Sequence, residues 1–238
     1  MTCHPWLATG IVLYVIIAVT ISIRGSFPRA GATSAGWRER TGQWMRTSLA
    51  VFEPTLMRCG ISATLLTMTQ LAVSLLAGVA YAQGCVFLGG WLMLACGVLD
   101  IMDGGLARRT AQASRRGAFL DSVIDRYAEF FTFLGLAVFF VHTRVLWIIA
   151  FGFLGSVMVS YARARAEGLG IECRGGLMQR AERYVVLGVA SFLSTAWNHV
   201  ICQPSHAILI FGLLFLAVLT NFTALSRVRI ALRDLGEQ

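Results

Sequence analysis

Four of the chain's five aspartates, Asp100, Asp103, Asp121 and Asp125, fall within 26 residues, where two strongly apolar segments meet. Taking a carboxylate out of water is expensive, so four of them in such surroundings mark a functional site. Carboxylates at close quarters repel unless cations sit between them, and hard divalent cations take oxygen ligands of this kind. Asp100 and Asp103 are three apart, and Asp121 and Asp125 are four apart, so each pair shares one face of a helix. Ala107 lies one further turn along the first face, and Gly104 and Gly105 remove side chains beside it. Small residues there let a ligand or another helix approach the backbone closely. The connection Arg108–Arg116 is short and basic and carries Ser114. Two antiparallel helices joined in this way can gather all four carboxylates around one or two cations that also hold phosphate oxygens. Charges at helix ends, an ion pathway, or ion pairs with Arg108, Arg109 and Arg126 are the plainer readings. Ion pairing would satisfy one or two carboxylates and leaves unexplained why two such pairs stand on adjacent helices with glycines between them.

The elements that must position these residues are apolar helices. Of 238 residues, 57% are hydrophobic and 13% charged, too apolar for an ordinary soluble domain. No charged residue occurs between Arg58 and Asp100, a stretch long enough for two spans of about 20 residues. Seven hydrophobic spans are expected: Trp6–Ile23, Ile61–Tyr81, Val86 to Ala107, Gly117–Val141, Val145 to Ala166, Tyr184–Trp197 with a polar N-terminal extension, and His206 to Leu225. The first has no basic flank on its N-terminal side and no small-x-small cleavage site, so it reads as a retained helix with its N-terminus outside. Residues 25–36, rich in Gly, Ser, Pro and Ala, read as a flexible connection. Between Thr41 and Arg58 apolar and charged residues interleave as in a helix lying in the headgroup plane. The expected organisation is therefore a transmembrane helix over 1–23, a cytoplasmic linker and interfacial helix over 24–58, and a transmembrane domain over 59–238.

All of the positive charge is arginine, because the chain contains no lysine, and the net charge is +8. Six arginines lie in 24–60, four in 108–116, five in 163–183 and three in the C-terminal tail, while the intervening loops carry one between them. By the positive-inside rule the arginine-rich loops, and with them the aspartates, face the cytoplasm. Such a basic membrane protein suits anionic headgroups or phosphorylated substrates; without aromatic and basic interleaving it does not suit nucleic acid. The six cysteines are scattered without a CxxC pair and read as free thiols. His4, His142, His199 and His206 are isolated and read as interfacial or loop residues.

The run Asp100-Ile-Met-Asp103-Gly104-Gly-Leu-Ala107-Arg108, then eight residues to Gly117, three to Asp121 and three to Asp125, resembles the signature of the CDP-alcohol phosphotransferases, D-x-x-D-G-x-x-A-R-x8-G-x3-D-x3-D. The resemblance covers about residues 55–230. It implies an all-α, polytopic membrane protein with that family's six-helix catalytic core, to which the first helix would be an addition. It also implies attack of an alcohol on the β-phosphorus of a CDP-linked lipid, with release of CMP, and a homodimer. Asp100, Asp103 and Asp121 would hold Mg²⁺ or Mn²⁺, two ions in all, and Asp125 would complete the second ion's site and act as general base. Gly104, Ala107, Arg108, Ser114 and Gly117 match positions that cradle the cytidine nucleotide. Ser62-Ala63-Thr64-Leu65 corresponds to a helix opening that usually reads T/S-P-N/D; the proline and Asn/Asp are absent, although Ser62 can still cap the helix.

A second run bears on the alcohol. Ser160-Tyr-Ala-Arg163-Ala-Arg165-Ala-Glu167, followed by Gly175-Gly-Leu-Met-Gln179-Arg180-Ala-Glu182-Arg183, resembles members of the family that use inositol phosphate: phosphatidylinositol-phosphate synthases and their archaeal-lipid counterparts. Gln179 stands where those carry glutamate. A phosphorylated acceptor needs fixed cations, and Arg163 with Arg183 can supply a bidentate clamp. Arg165 and Arg180 are expected to pair with Glu167 and Glu182. Glycerol 3-phosphate would need the same cations, whereas serine or free inositol would not. The rival class is a membrane protein that binds or transports cations without turnover. On this reading the site faces the cytoplasm from a prokaryotic cytoplasmic membrane, with CDP-diacylglycerol arriving sideways from the lipid.

Overall fold

The computed structural model describes residues 49–50, 52–109, 114–171, 176, 178–202 and 205–236. The expected N-terminal span and most of the 24–58 segment lie outside these residues. Seven α-helices follow in chain order: α1 Glu53–Arg58, α2 Ala63–Ala82, α3 Val86–Arg109, α4 Arg115–Phe139, α5 Val145–Gly168, α6 Arg180–Val200 and α7 Ala207–Gly236. Six correspond to the spans read from hydropathy. α1 is the described end of the interfacial segment, with Pro54 in its first turn, where a missing N–H is harmless.

Local chemistry sets the boundaries. Ser62 caps α2 by accepting from the Leu65 N–H, and Ser114 caps α4 by accepting from the Gly117 N–H; each such cap stabilises by about 1 kcal/mol. α6 begins four residues earlier than its apolar stretch because Gln179 and Glu182 close a capping box. α7 continues past Leu225 to Gly236. There Arg227, Arg229 and Arg233 alternate with Val228, Ile230 and Leu232, and nothing in that stretch breaks a helix.

The long helices close into a ring, with α2 against α3 and α4, α3 against α6, α6 against α7, α7 against α5, and α5 against α4. The core holds Tyr81, Met93, Cys96, Leu136, Leu187, Leu209 and Leu213. α2 and α4 touch backbone to backbone: a Cβ on Gly78 would meet the Phe131 carbonyl, and one on Gly135 the Gly78 carbonyl. Such small-residue contacts let helices associate where water supplies no hydrophobic drive. Polarity runs inward, since Gln70, Ser74, Ser156, Ser191, Thr220 and Thr223 are buried while Leu76, Trp147, Phe151, Phe211 and Leu225 are exposed. α2, α3, α5 and α7 are each long and apolar enough to cross a bilayer, and the chain is a multi-pass membrane protein. Helices successive in the chain alternate in direction. The N-terminal ends of α2, α4 and α6 therefore share one side of the ring with the C-terminal ends of α3, α5 and α7.

Candidate active site

The aspartates stand on that side. One carboxylate oxygen from each of Asp100, Asp103 and Asp121 lies within 4.8 Å of the others. Asp103 is held from α2, whose Thr67 Oγ1 donates to its Oδ2 at 3.1 Å. Asp121 Oδ1 is buried with no hydrogen-bond partner. A buried oxygen without a donor beside two further carboxylates is a set of hard ligands that fits a divalent cation. Asp125, one turn along α4, stands beside this trio. Its Oδ2 meets Arg180 and lies 3.7 Å from Arg126 Nη1, and its Oδ1 is buried without a partner.

Arg180 is the residue that sequence reasoning misplaced. It was expected beside Glu182, but its Nη1 lies 2.8 Å from Asp100 Oδ1 and also meets Asp125. The Tyr184 hydroxyl accepts from Arg180 Nε and Nη2 at 3.1 and 2.9 Å and from Gln70 Nε2 at 3.2 Å. Glu182 instead accepts the Gln179 N–H at 2.5 Å. Glu167 takes Arg163 at 2.8 Å, not Arg165. Both expected pairs were two apart on a helix, where side chains diverge; the observed Arg163–Glu167 pair is four apart.

Two cavities flank the carboxylates. The first, of about 250 Å³, is lined by Ala63, Thr64, Thr67, Asp103, Gly104, Ala107, Arg108, Ser114, Gly117, Ala118, Leu120 and Asp121. Most of the residues matched to the nucleotide cradle come together here from α2, α3 and α4. Ser62 stands one residue outside as the α2 cap, and Leu65 points outward, 54% exposed. Arg108 folds back over Gly104, whose missing Cβ leaves room for the guanidinium.

The second cavity, of about 350 Å³, is lined by Ser122, Asp125, Arg126, Val159, Ser160, Arg163, Ala164, Glu167, Gln179, Arg180, Arg183 and Arg227. Five arginines face two carboxylates, so it attracts anions. Arg163 is half-exposed. Arg183 is buried at 3% exposure and ion-paired with Glu129 at 2.7 Å, while Ser156 accepts from Arg183 and donates to the same Glu129 oxygen. Arg227 donates to the Val159 carbonyl at 2.7 Å. Sequence reasoning missed Thr67, Glu129 and Arg227, and named Arg126 only as an ion-pair partner of the aspartates, where it lies 3.7 Å from Asp125. Only Glu129 had a readable signal, since it extends the Asp121–Asp125 stripe by another helical turn. His206 lies far off at the opposite end, edge-on to Phe139 and Phe140, and desolvation holds its imidazole below the usual range.

The chain is similar in sequence and fold to known proteins. The CDP-alcohol phosphatidyltransferase family model matches residues 61–220. The archaetidylinositol phosphate synthase of Methanothermobacter thermautotrophicus is 34% identical over 148 residues, which are 61% of this chain and 75% of that one. The phosphatidylinositol phosphate synthase of Streptomyces avermitilis is 34% identical over 197 residues, 79% of this chain and 80% of its own. The fold is shared with the Mycobacterium tuberculosis phosphatidylinositol phosphate synthase. Its apo crystal structure superposes with a TM-score of 0.66 at 26% identity, covering 75% of this chain and 93% of that one. Its complex with manganese and citrate superposes with a TM-score of 0.67 at 24% identity, covering 77% and 88%. Matched by the family model over residues 61–220, more than half of its length, the chain belongs to the CDP-alcohol phosphatidyltransferases.

Proposed function

We propose that this protein transfers a phosphatidyl group from CDP-diacylglycerol to an inositol phosphate, releasing CMP. The observation that carries the reading is the placement of the two cavities on either side of one turn of α4. Asp121 lines the first and Asp125 the second. A CDP-lipid in the first cavity and a phosphorylated alcohol in the second would meet at that turn. Relatives that are synthases of phosphatidylinositol phosphate and archaetidylinositol phosphate favour inositol phosphate over glycerol 3-phosphate.

Asp100, Asp103 and Asp121, with Asp125 toward a second ion, would hold Mg²⁺ or Mn²⁺, which when bound neutralises the pyrophosphate. The chain's own groups do the rest. Gly104 and Ala107 leave room for the cytosine, Arg108 forks onto a phosphate, and Ser114 and Gly117 close the cradle. Asp125 takes the proton from the acceptor hydroxyl. The freed oxygen then forms a bond to the β-phosphorus, and the pyrophosphate bond breaks with its electron pair leaving on CMP. Arg163 and Arg183, with Arg180 drawn from Asp125, receive the acceptor's phosphate. The arginine-rich loops on the site's side support a location of this chemistry at the cytoplasmic face of a cell membrane. A homodimer is expected from the family resemblance.

CMP release from CDP-diacylglycerol with Mn²⁺ or Mg²⁺, over a panel of inositol phosphate, glycerol 3-phosphate, inositol and serine, tests the reading. Inositol phosphate is expected to give the highest kcat/KM. Preference for free inositol or serine would overturn the assignment of the second cavity, and no CMP with any acceptor would favour cation binding without turnover.

A further inference from the structure

Glu53 is only 5% exposed, although it opens a helix of six residues at the edge of the fold. Its Oε2 lies 2.5 Å from Arg109 Nε, and its Oε1 occupies the space that a Cβ on Gly105 would need. α1 thus grips the last turns of α3 from behind. Those turns have two faces. Asp103, Gly104, Ala107 and Arg108 line the first cavity, whereas Gly105 and Arg109, four apart, turn toward α1. Two neighbouring arginines are thereby divided, one to the cavity and one to a buried carboxylate.

A carboxylate beside the C-terminus of α3 is unfavourable to that helix's dipole, and Arg109 offsets the charge of Glu53 there. We infer that Glu53 is a positioning residue for the CDP-lipid: by holding Gly105 and Arg109, it keeps the end of α3 wound and leaves Arg108 turned into the nucleotide cavity. Gly105, the second glycine of the Asp-Gly-Gly run, is then glycine to admit the Glu53 carboxylate, a task separate from that of Gly104. The inference rests on reading the first cavity as the CDP-lipid site and adds the interfacial segment to its machinery.

The test uses the purified full-length chain, comparing wild type with Glu53→Gln, Gly105→Ala and Arg109→Lys. Losing a charge-assisted contact is expected to raise the CDP-diacylglycerol KM about tenfold in the first two variants. The acceptor KM and kcat should stay near wild type, and Arg109→Lys, which keeps the charge, should fall close to wild type. Amide hydrogen exchange over residues 105–109 should quicken in Glu53→Gln and Gly105→Ala alone. An unchanged CDP-diacylglycerol KM in both, or equal rises for donor and acceptor, overturns the inference. If the wild type itself releases no CMP, the reaction reading fails separately. Exchange then decides for Glu53, since unchanged protection at 105–109 would show that it positions nothing.

Discussion

Arg180 Nη1 lies 2.8 Å from Asp100 Oδ1, and the same guanidinium meets Asp125 one helix away. One cation therefore ties a member of the carboxylate trio to the residue proposed to take the proton. Divalent ions and an acceptor's phosphate would each compete for part of this arrangement, the ions for the carboxylates and the phosphate for the arginine.

Arg180→Gln should therefore act in opposite directions on two observables. Removing the competing cation leaves Asp100 and Asp125 without a counter-charge, so Mn²⁺ should bind more tightly by calorimetry. Losing the phosphate contact should lower kcat/KM for the acceptor by about 100-fold, the scale of a buried charge pair losing one member. Weaker Mn²⁺ binding in the variant would show that Arg180 supports the metal site and does not compete with it.

Asp121 and Asp125 sit four apart yet have different surroundings, which predicts different deficits. Asp121 belongs to the trio of oxygens within 4.8 Å, and Asp125 stands beside Arg180 and Arg126. Asp121→Asn should abolish measurable Mn²⁺ binding together with activity. Asp125→Asn should lower kcat by about 10²- to 10⁴-fold, the usual yield of a general base, with a smaller loss of Mn²⁺ affinity. Equal loss of metal in both would make Asp125 chiefly a ligand. Chelation with EDTA should abolish CMP release, and added Mn²⁺ or Mg²⁺ should restore it.

The carboxylates were legible because their spacing is helical and both pairs lie beside long apolar stretches. The six long helices were legible for the same reason, down to Val86 and Val145 as first residues. The partners of the arginines were not. Arg180 finds Asp100 across a helix contact separated by 80 residues in the chain, and no local pattern predicts that. Arg227 lies on α7 and reaches the Val159 carbonyl 68 positions away; from the sequence it is only one of three tail arginines. Glu129 went unread, although it continues the Asp121–Asp125 stripe, because the partner that explains it, Arg183, lies on another helix.

The Glu129–Arg183 pair predicts a stability effect that is asymmetric. Glu129, Arg183 and Ser156 join α4, α6 and α5 beneath the second cavity, with both charged groups buried. Removing one charge leaves the other unpaired, at a cost of about 3–5 kcal/mol, whereas replacing both with apolar groups can be nearly neutral. In thermal unfolding in detergent, Glu129→Leu and Arg183→Met should each lower Tm strongly. The double variant should recover most of the loss while remaining unable to use the acceptor. A double variant as unstable as the sum of the singles would mean the two residues are not coupled.

Arg163 separates acceptor binding from the architecture that supports it. Its side chain is 50% exposed and, among the described residues, held only by Glu167, four residues along α5, and pairs of that kind contribute about 0.3–0.5 kcal/mol to a helix. Arg163→Ala should therefore leave thermal stability almost unchanged, unlike Arg183→Met. Facing the second cavity, it should matter to an anionic acceptor far more than to the lipid donor. We expect the inositol phosphate KM to rise about tenfold, as for a lost charge-assisted phosphate contact, with the CDP-diacylglycerol KM unaltered. Glu167→Gln frees Arg163 from its partner, so the acceptor KM should fall or hold steady while stability changes little. Initial-rate kinetics with each substrate varied in turn distinguish these outcomes. A donor KM that rises in step with the acceptor KM would place Arg163 in the shared structure of the site and not in acceptor recognition.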